Sequence, residues 1–267
     1  MSDSGFQQGV LPSDDEIHLW YRRVENIADA ALWQSCRAQL DAQEDVVFSR
    51  ILSAPKRLEY LCTRLLIRNV LSLYLPQVRP EQWQFLSNEY GKPAVAGPFI
   101  RPLCFNLSHA NGMIVLAISR ALEIGIDVES RDRMAAHVEL AHNCFSAGES
   151  ALLRLLNAAP QAEAVCQLWT LKESYVKARG MGLSIPFDTF AFSFPDEAGI
   201  GLALDDDMDD VARHWRFWVF EADVAHRVAL ALKVDDAAAR FRITVREVLP
   251  SHETRPVRWA TLRQSRV

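Results

Sequence analysis

Residues 163–180 read EAVCQLWTLKESYVKARG. Glycine is favoured just past the end of a helix, so Gly180 predicts a helix from about Glu163 to Arg179. Glu173 and Lys177 are four residues apart and therefore share one face of this helix, ~6 Å apart along its axis. A carboxylate and an ammonium on a rigid helix suit a metal ion and a phosphate. Taken alone, the pair is more typical of an exposed ion pair, which stabilises a helix by about 0.2–0.5 kcal/mol.

Residues 125–129 read GIDVE and suit a β-strand. Side chains alternate faces along a strand, so Asp127 and Glu129 point the same way, ~7 Å apart. The apolar Ile126 and Val128 then pack on the opposite face. Two carboxylates on one strand face suit Mg²⁺, which prefers oxygen ligands, keeps several waters and is usually shared with substrate phosphates. Taken alone, so short a motif is more typical of a solvent-facing acidic pair.

The sequence FNLSH at residues 105–109 supplies a further polar group. Ser108 and His109 precede an apolar run and suit a contact with a phosphate or a nucleotide base. The pair also hints at a hydrolase, but the flanking residues form no Gly-x-Ser-x-Gly nucleophile elbow. A loop Ser-His pair with purely local hydrogen bonds is the alternative.

Lys56, Arg57 and Lys92 are the basic residues that a polyphosphate ligand would require as donors. Lys92 lies in a turn-prone Gly91-Lys92-Pro93 segment. Most surface lysines and arginines are only solvated, so this signal depends on the other motifs.

The pattern of apolar residues predicts a mixed order of helices and strands. Two apolar runs at residues 112–119 and 123–129, with a short connection, predict a β-hairpin. Helices are predicted at residues 29–50 and 55–74, and strand-like segments at 14–25, 189–194, 215–221 and 227–234. The arginine-rich tail, residues 240–267, is interpreted as solvated, or as a structural extension against the second half of the chain.

Composition limits the class of protein. The 267 residues are 49% apolar and 24% charged, and the formal net charge of −5 argues against a general nucleic-acid-binding protein. The five cysteines are scattered without a Cys-x-x-Cys pair, which favours a reducing compartment and no zinc site. The N-terminus lacks a secretory signal, and no apolar run is long enough to span a bilayer. We therefore expect a cytoplasmic protein.

The motifs form one ordered set: FNLSH at 105–109, GIDVE at 125–129, Phe145-Ser146 with Glu149, WTLKESYVK at 169–177 and GMGL at 180–183. This set closely resembles the 4′-phosphopantetheinyl transferases of the surfactin-synthetase-activating type. The resemblance implies an α+β fold of two similar halves related by a pseudo-twofold axis, with the active site in the cleft between them. By position, the halves would be residues 1–121 and 122–245, followed by a basic C-terminal extension at 246–267.

The resemblance also implies roles for individual residues. Asp127, Glu129 and Glu173 match the family's Mg²⁺-binding acids, and Glu173 is the candidate general base. Lys177 matches the helix lysine near the scissile phosphate bond and is also expected to contact coenzyme A. The other coenzyme A contacts that the resemblance implies are Lys56, Arg57, Lys92, Ser108 and His109, the last two near the adenosine 3′-phosphate.

The implied reaction moves 4′-phosphopantetheine from coenzyme A to a serine of an apo carrier protein and releases adenosine 3′,5′-bisphosphate. Acyl, peptidyl and aryl carriers all fit, and we expect a monomer without nucleic-acid or membrane partners. Two alternatives stay open. One is a non-catalytic protein that binds coenzyme A or a carrier, and the other is a Mg²⁺-dependent hydrolase of nucleotide pyrophosphates.

Overall fold

Two β-sheets form the centre of the computed structural model, which describes residues 8–24, 30–97, 103–236 and 238–265. The first sheet has the spatial order Thr254–Val257 (β12), Arg242–Val248 (β11), Glu16–Arg23 (β1), Met113–Ser119 (β5) and Cys104–Ala110 (β4). Strand β1 runs parallel to β11 and antiparallel to β5. Its neighbours therefore come from distant parts of the chain.

The second sheet contains six strands. Their spatial order is Ile124–Ser130 (β6), His226–Lys233 (β10), Trp215–Glu221 (β9), Ala260–Ser265 (β13), Gly199–Leu204 (β8) and Phe190–Ser193 (β7). A separate two-stranded hairpin consists of Phe85–Ser87 (β2) and Pro93–Val95 (β3). The chain crosses from the first sheet to the second between β5 and β6.

Seven α-helices accompany the strands in the described residues. They are Ala30–Arg37 (α1), Ala42–Arg50 (α2), Ala54–Tyr74 (α3), Arg131–Ala135 (α4), Val138–Cys144 (α5), Ala147–Arg154 (α6) and Ala158–Arg179 (α7). The predicted helices at 55–74 and 163–179 are confirmed as α3 and α7, and α7 ends at Gly180 with a φ of 68°. None of the helices described is long and apolar enough to cross a membrane.

The predicted single helix at residues 29–50 is wrong, because α1 and α2 are separate; residue 29 itself lies outside the described residues. Asp41 starts α2 with a capping box, in which its side chain accepts a hydrogen bond from the Glu44 amide and the Glu44 side chain accepts one from the Asp41 amide. Such a box satisfies amides that have no partner within a helix, so it favours a new helix start at this point.

Two helices and two sheets lie in four layers. Apolar residues of β1, β5, β6 and β10 meet between the sheets, whereas α3 and α7 cover the two outer faces. Burial of each large apolar side chain stabilises the fold by about 1.5–3 kcal/mol. The fold is therefore α+β, as the family resemblance implies.

The predicted hairpin between residues 112–119 and 123–129 is wrong. Strand β5 pairs with β4 in the first sheet, and β6 pairs with β10 in the second. The β4–β5 hairpin turns at Asn111 and Gly112, which have φ values of 43° and 82°. An Asn-Gly pair is favoured in tight hairpin turns because both residues tolerate positive φ, so this dipeptide marked the true hairpin.

The arginine-rich tail forms three strands of the two sheets, although four of its arginines (Arg240, Arg242, Arg255 and Arg258) are exposed to solvent. Strand β11 lies beside β1, and β12 pairs with β11, so both belong to the first sheet rather than to an extension against the second half. Strand β13 pairs with β9 and β8 in the second sheet. The predicted boundary at residue 245 falls inside β11. The tail thus contributes to both sheets.

His18 is expected to make the free energy of unfolding depend on pH. Its Nδ1 atom lies 2.7 Å from the hydroxyl of Tyr74, which also accepts a hydrogen bond from Trp20 Nε1. Burial lowers the pKa of His18 from 6.5 to about 4, although nearby Glu16 opposes this shift. The unfolded chain therefore binds an extra proton between these values, and acid favours unfolding. We expect the contribution of His18 to the free energy of unfolding to fall by about 2 kcal/mol between pH 8 and pH 5.

Urea unfolding of the natural protein and of His18→Gln at both pH values would measure this effect. The variant should be less stable at pH 8, and the gap should narrow at pH 5 because glutamine does not titrate. Equal losses of stability in the two proteins would contradict the assignment.

Candidate active site

The candidate site lies where strand β4 of the first sheet meets strand β6 of the second. Asn106 Oδ1 accepts a hydrogen bond from the Ile126 amide at 2.8 Å, and Ser108 Oγ donates to Asp127 Oδ1 at 2.7 Å. Ser108 and His109 are part of β4, which excludes the alternative of a loop pair with purely local hydrogen bonds. Side-chain hydrogen bonds thus join the two sheets at the position of the polar motifs.

One face of β6 carries the two predicted acids toward α7. Ile126 and Val128 point into the apolar core between the sheets, so Asp127 and Glu129 face the other way, as predicted. Gly125 is on the same face as the acids. A Cβ atom there would overlap the Ser174 carbonyl oxygen and lie 3.0 Å from the Ala178 Cα. Glycine at this position therefore lets α7 approach the strand closely.

Gly125→Ala should reduce both stability and any activity of the site. The new methyl group meets backbone atoms of α7, which cannot rotate away, so the helix must move from β6. We expect a loss of about 3 kcal/mol or more in the free energy of unfolding. Gly148→Ala in α6 is the matched control, since a Cβ there meets nothing within 4 Å. Equal stability of the two variants would contradict the close approach.

Lys177 of α7 connects the polar residues of β4 and β6. Its Nζ atom donates to Asp127 Oδ1 at 2.6 Å and to Ser108 Oγ at 2.8 Å. Ser108 in turn donates to the same carboxylate oxygen. The second oxygen, Asp127 Oδ2, is buried and has no hydrogen-bond partner among the described residues. A buried anionic oxygen without a partner is costly, so this atom is a candidate ligand for a cation.

The other two acids lie close enough to Asp127 to be affected by its charge. Burial, reinforced by repulsion from Asp127, raises the pKa of Glu129 to about 7. Burial and then Asp127 also raise the pKa of Glu173. Arg133 Nη1 lies 3.4 Å from a carboxylate oxygen of Glu129 and offsets part of the negative charge. The three acids therefore form one electrostatic group.

Without a substrate, the described residues supply only part of a coordination site for a divalent cation. Across residues 8–24, 30–97, 103–236 and 238–265, no group of three or more His, Cys, Asp or Glu side chains is already assembled to hold a metal ion. Lys177 occupies one oxygen of Asp127, while the other is unpartnered. Mg²⁺ commonly uses one or two carboxylates together with waters and substrate phosphates. The donor chemistry of the acids is therefore suitable for this ion.

His109 and Lys56 are brought together by an acidic residue. Glu59 lies 3.2 Å from His109 Nδ1 and 3.1 Å from Lys56 Nζ. Burial lowers the pKa of His109, and Glu59 opposes this shift. Arg57 points elsewhere, with its guanidinium 6.0 Å from the centre of the Phe48 ring.

Lys92 contacts the backbone of the two elements that carry the site, α7 and β6. The Nζ atom donates to the carbonyl oxygens of Ala178 at 2.8 Å and Ile124 at 3.2 Å. Burial lowers the pKa of Lys92 to about 8, so the ammonium remains the main form at pH 7. Two of its three hydrogens are used within the protein, and one is left for another acceptor.

A cavity of about 310 Å³ adjoins Glu173. Its lining residues are Asn143, Cys144, Trp169, Glu173, Pro186, Phe187 and Asp188. The cavity gives Glu173 an open approach on the side of α5 and of the segment that follows α7. It is large enough for a chain of several atoms and has a mostly apolar wall.

A buried ion pair behind this cavity escaped sequence reasoning. Lys172 Nζ lies 2.9 Å from Glu149 Oε2 and donates to the carbonyl oxygens of Phe187 and Phe190. The Glu149 carboxylate also closes a capping box with Ser146. Lys172 directly precedes Glu173, and a helix turns by about 100° per residue. Because of that rotation, Lys172 cannot face the same way as Glu173, and this offset is the sequence signal that Lys172 has a separate role.

The family model and the curated relatives that match this chain belong to the same family. The family model described as the 4′-phosphopantetheinyl transferase superfamily matches residues 123–232, which include β6 and α7. A crystal structure of a holo-(acyl-carrier-protein) synthase from Bacillus anthracis in complex with CoA (3′,5′-ADP) covers 43% of this chain and 97% of its own. Its sequence identity is 19% and its TM-score 0.36, which establishes no shared fold.

Curated relatives match a longer part of the chain. The 4′-phosphopantetheinyl transferase gsp of Aneurinibacillus migulanus is 30% identical over 174 residues, which are 65% of this chain and 70% of that protein. HetI of Nostoc sp. is 32% identical over 171 residues, with coverages of 64% and 71%. Sfp of Bacillus subtilis is 31% identical over 141 residues, with coverages of 53% and 60%. The chain therefore belongs to the 4′-phosphopantetheinyl transferase superfamily.

Proposed function

We propose that this chain transfers 4′-phosphopantetheine from coenzyme A to a serine of an apo carrier protein. The observation that carries the proposal is the bridge that Lys177 forms between Ser108 and Asp127. It places an ammonium beside three acids, at a junction of two sheets and one long helix. A phosphoryl-transfer site requires this combination of fixed positive charge and cation-binding oxygens.

In the proposed reaction, the serine hydroxyl oxygen of the carrier attacks the β-phosphorus of coenzyme A. A new phosphorus–oxygen bond forms to the serine. The bond from that phosphorus to the bridging oxygen breaks, and adenosine 3′,5′-bisphosphate leaves with the electron pair. No reductant or oxidant is required, and the serine proton must pass to a base.

Glu173 and Lys177 suit the two charge movements of this reaction. Burial raises the pKa of Glu173 when no cation is bound, and Mg²⁺ would lower it again. The position of Glu173 beside the open cavity therefore makes it the candidate acceptor of the serine proton. The cavity beside Glu173 would admit the incoming hydroxyl group. Lys177 would hold positive charge where the leaving phosphate gains negative charge, an effect that is strong in a partly buried site.

Asp127, Glu129 and Glu173 are the residues that would hold Mg²⁺ in this proposal. The buried, unpartnered Oδ2 atom of Asp127 and the raised pKa values of Glu129 and Glu173 support it, because a dication would relieve the repulsion among the acids. When bound, Mg²⁺ supplies Lewis-acid stabilisation of phosphate oxygens. The residues that we propose for coenzyme A are Lys56, Ser108, His109 and Lys177. Of the other two expected contacts, Arg57 lies over the Phe48 ring and Lys92 is bonded to backbone carbonyl oxygens.

The wider organisation is also a proposal. The crossing from the first sheet to the second between β5 and β6 supports a boundary between the proposed halves at residues 1–121 and 122–245, although β11 and β12 return to the first sheet. A cytoplasmic location is supported by Cys36, Cys104, Cys144 and Cys166, which form no disulfide in the structure. A monomer is expected from the family resemblance.

Intact mass spectrometry of apo carrier proteins tests the proposed reaction. Each carrier would be incubated with this protein, coenzyme A and Mg²⁺, with and without a chelator. We expect a gain of one phosphopantetheine that the chelator abolishes. Release of free phosphopantetheine without carrier modification would indicate a hydrolase instead. Binding of coenzyme A with no product of either kind, across acyl and peptidyl carriers, would indicate a non-catalytic binding protein.

A further inference from the structure

The turn of the β2–β3 hairpin packs on the end of α7. Asn88 Nδ2 donates to the Gly180 carbonyl oxygen at 2.6 Å. The Asn88 Oδ1 atom accepts hydrogen bonds from the amides of Tyr90 and Lys92, so the turn is held in one shape by its own side chain. A hairpin that is distant from α7 in the sequence therefore contacts the terminus of the helix that carries Glu173 and Lys177.

The Lys92 ammonium extends this contact to β6. Ala178, whose carbonyl oxygen accepts one of its hydrogen bonds, directly follows Lys177, and this oxygen is in the last turn of α7, where carbonyls lack helical partners. Ile124, whose carbonyl oxygen accepts the other bond, is the first residue of β6, three positions before Asp127. One side chain is thus bonded to both elements that carry the candidate site.

The helix end is shaped to receive this side chain. Gly180 has a φ of 68°, and a Cβ atom there would lie 3.0 Å from Lys92 Cδ and 3.3 Å from Asn88 Nδ2. Glycine at the end of α7 is therefore required both by backbone conformation and by the space that the hairpin occupies. Positive charge at a helix C-terminus also interacts favourably with the helix dipole.

We propose that Lys92 is a positioning residue that fixes α7 against β6 and thereby sets Lys177 and Glu173 at the correct distance from Asp127. This role rests on the proposed transfer function and differs from a direct contact with coenzyme A. A small displacement of α7 would separate Lys177 from Asp127, and misplacement of reacting groups by ~1 Å can cost ~100-fold in rate.

Lys92→Met is the first test, because methionine keeps an apolar stem against Gly180 but removes the donor. We expect kcat for carrier modification to fall ~10- to 100-fold, with KM for coenzyme A within ~3-fold of its natural value. Amide hydrogen exchange should become faster in the last turn of α7 and at the start of β6. Lys92→Arg, which restores two donors, should recover part of kcat.

Asn88→Ala is the matched second variant, since it loosens the same hairpin without changing any charge. It should also lower kcat and should leave KM for coenzyme A unchanged. A tenfold or greater rise in KM for coenzyme A in Lys92→Met, with kcat retained, would overturn the proposal in favour of direct ligand contact. Unchanged kcat and unchanged exchange would also overturn it. If the natural protein transfers nothing, the proposed function fails, and the exchange measurement still decides the role of Lys92.

Discussion

Asp127→Asn is expected to lower kcat/KM for carrier modification by about 10³-fold. Asparagine has nearly the same shape, so the hydrogen bond from Ser108 can persist. The variant loses the negative charge that pairs with Lys177 and replaces the unpartnered Oδ2 atom, the candidate Mg²⁺ ligand. It also removes one of the three negative charges that would attract a dication, and it lowers the pKa of Glu173, which makes that carboxylate a weaker base.

The measurement is the rate of carrier modification by intact mass spectrometry across a range of Mg²⁺ concentrations. Asp132→Asn is the matched control, because Asp132 is an exposed acid of α4 near the same strand end. It should retain activity within ~2-fold, and both variants should stay within about 1 kcal/mol of the natural stability. Full activity of Asp127→Asn at low Mg²⁺ would contradict the assignment of the site.

Lys172→Met is expected to reduce the free energy of unfolding by about 3–5 kcal/mol. The Lys172 side chain is 0% exposed and that of Glu149 2% exposed, so the variant leaves a carboxylate in the core without its cation. Two carbonyl oxygens, those of Phe187 and Phe190, also lose a donor. Because Phe187 lines the cavity beside Glu173, we expect transfer activity to fall as well.

The double variant Glu149→Gln with Lys172→Met distinguishes the contribution of the ion pair to stability from that of side-chain packing. Glutamine removes the unpaired charge, so the double variant should recover part of the lost stability, as neutral replacements of buried pairs often do. Urea unfolding of the natural protein, both single variants and the double variant provides the comparison. A Lys172→Met protein as stable as the natural one would show that the pair does not support the core.

Local periodicity predicted the elements that carry the site. Helix α7 and its end at Gly180 follow from side-chain spacing and a glycine stop. The shared face of Asp127 and Glu129 follows from strand alternation, which is fixed by backbone geometry. The capping box at Ser146 and Glu149 was likewise visible in four consecutive residues. Such signals act within a few residues and need no knowledge of the rest of the fold.

Strand pairing depended on contacts that no local pattern contains. The runs at 112–119 and 123–129 lie close in sequence but in different sheets, because β5 pairs with β4 and β1 whereas β6 pairs with β10. The arginine-rich tail became part of both sheets for the same reason, since its strands fill positions beside β1 and β9. Burial of both sheet faces decides such pairings.

By itself, the sequence determined the two site-bearing elements and an ordered set of motifs, and the resemblance of those motifs to a known family implied the α+β class. Only the tertiary structure decided that Ser108 and Asp127 meet across two sheets, that Lys177 joins them and that Lys92 supports the helix end. The physical reason is the distance along the chain over which each kind of interaction acts. Side-chain periodicity is set by bonds within one segment, whereas a hydrogen bond between residues tens of positions apart exists only after the core has brought their backbones together.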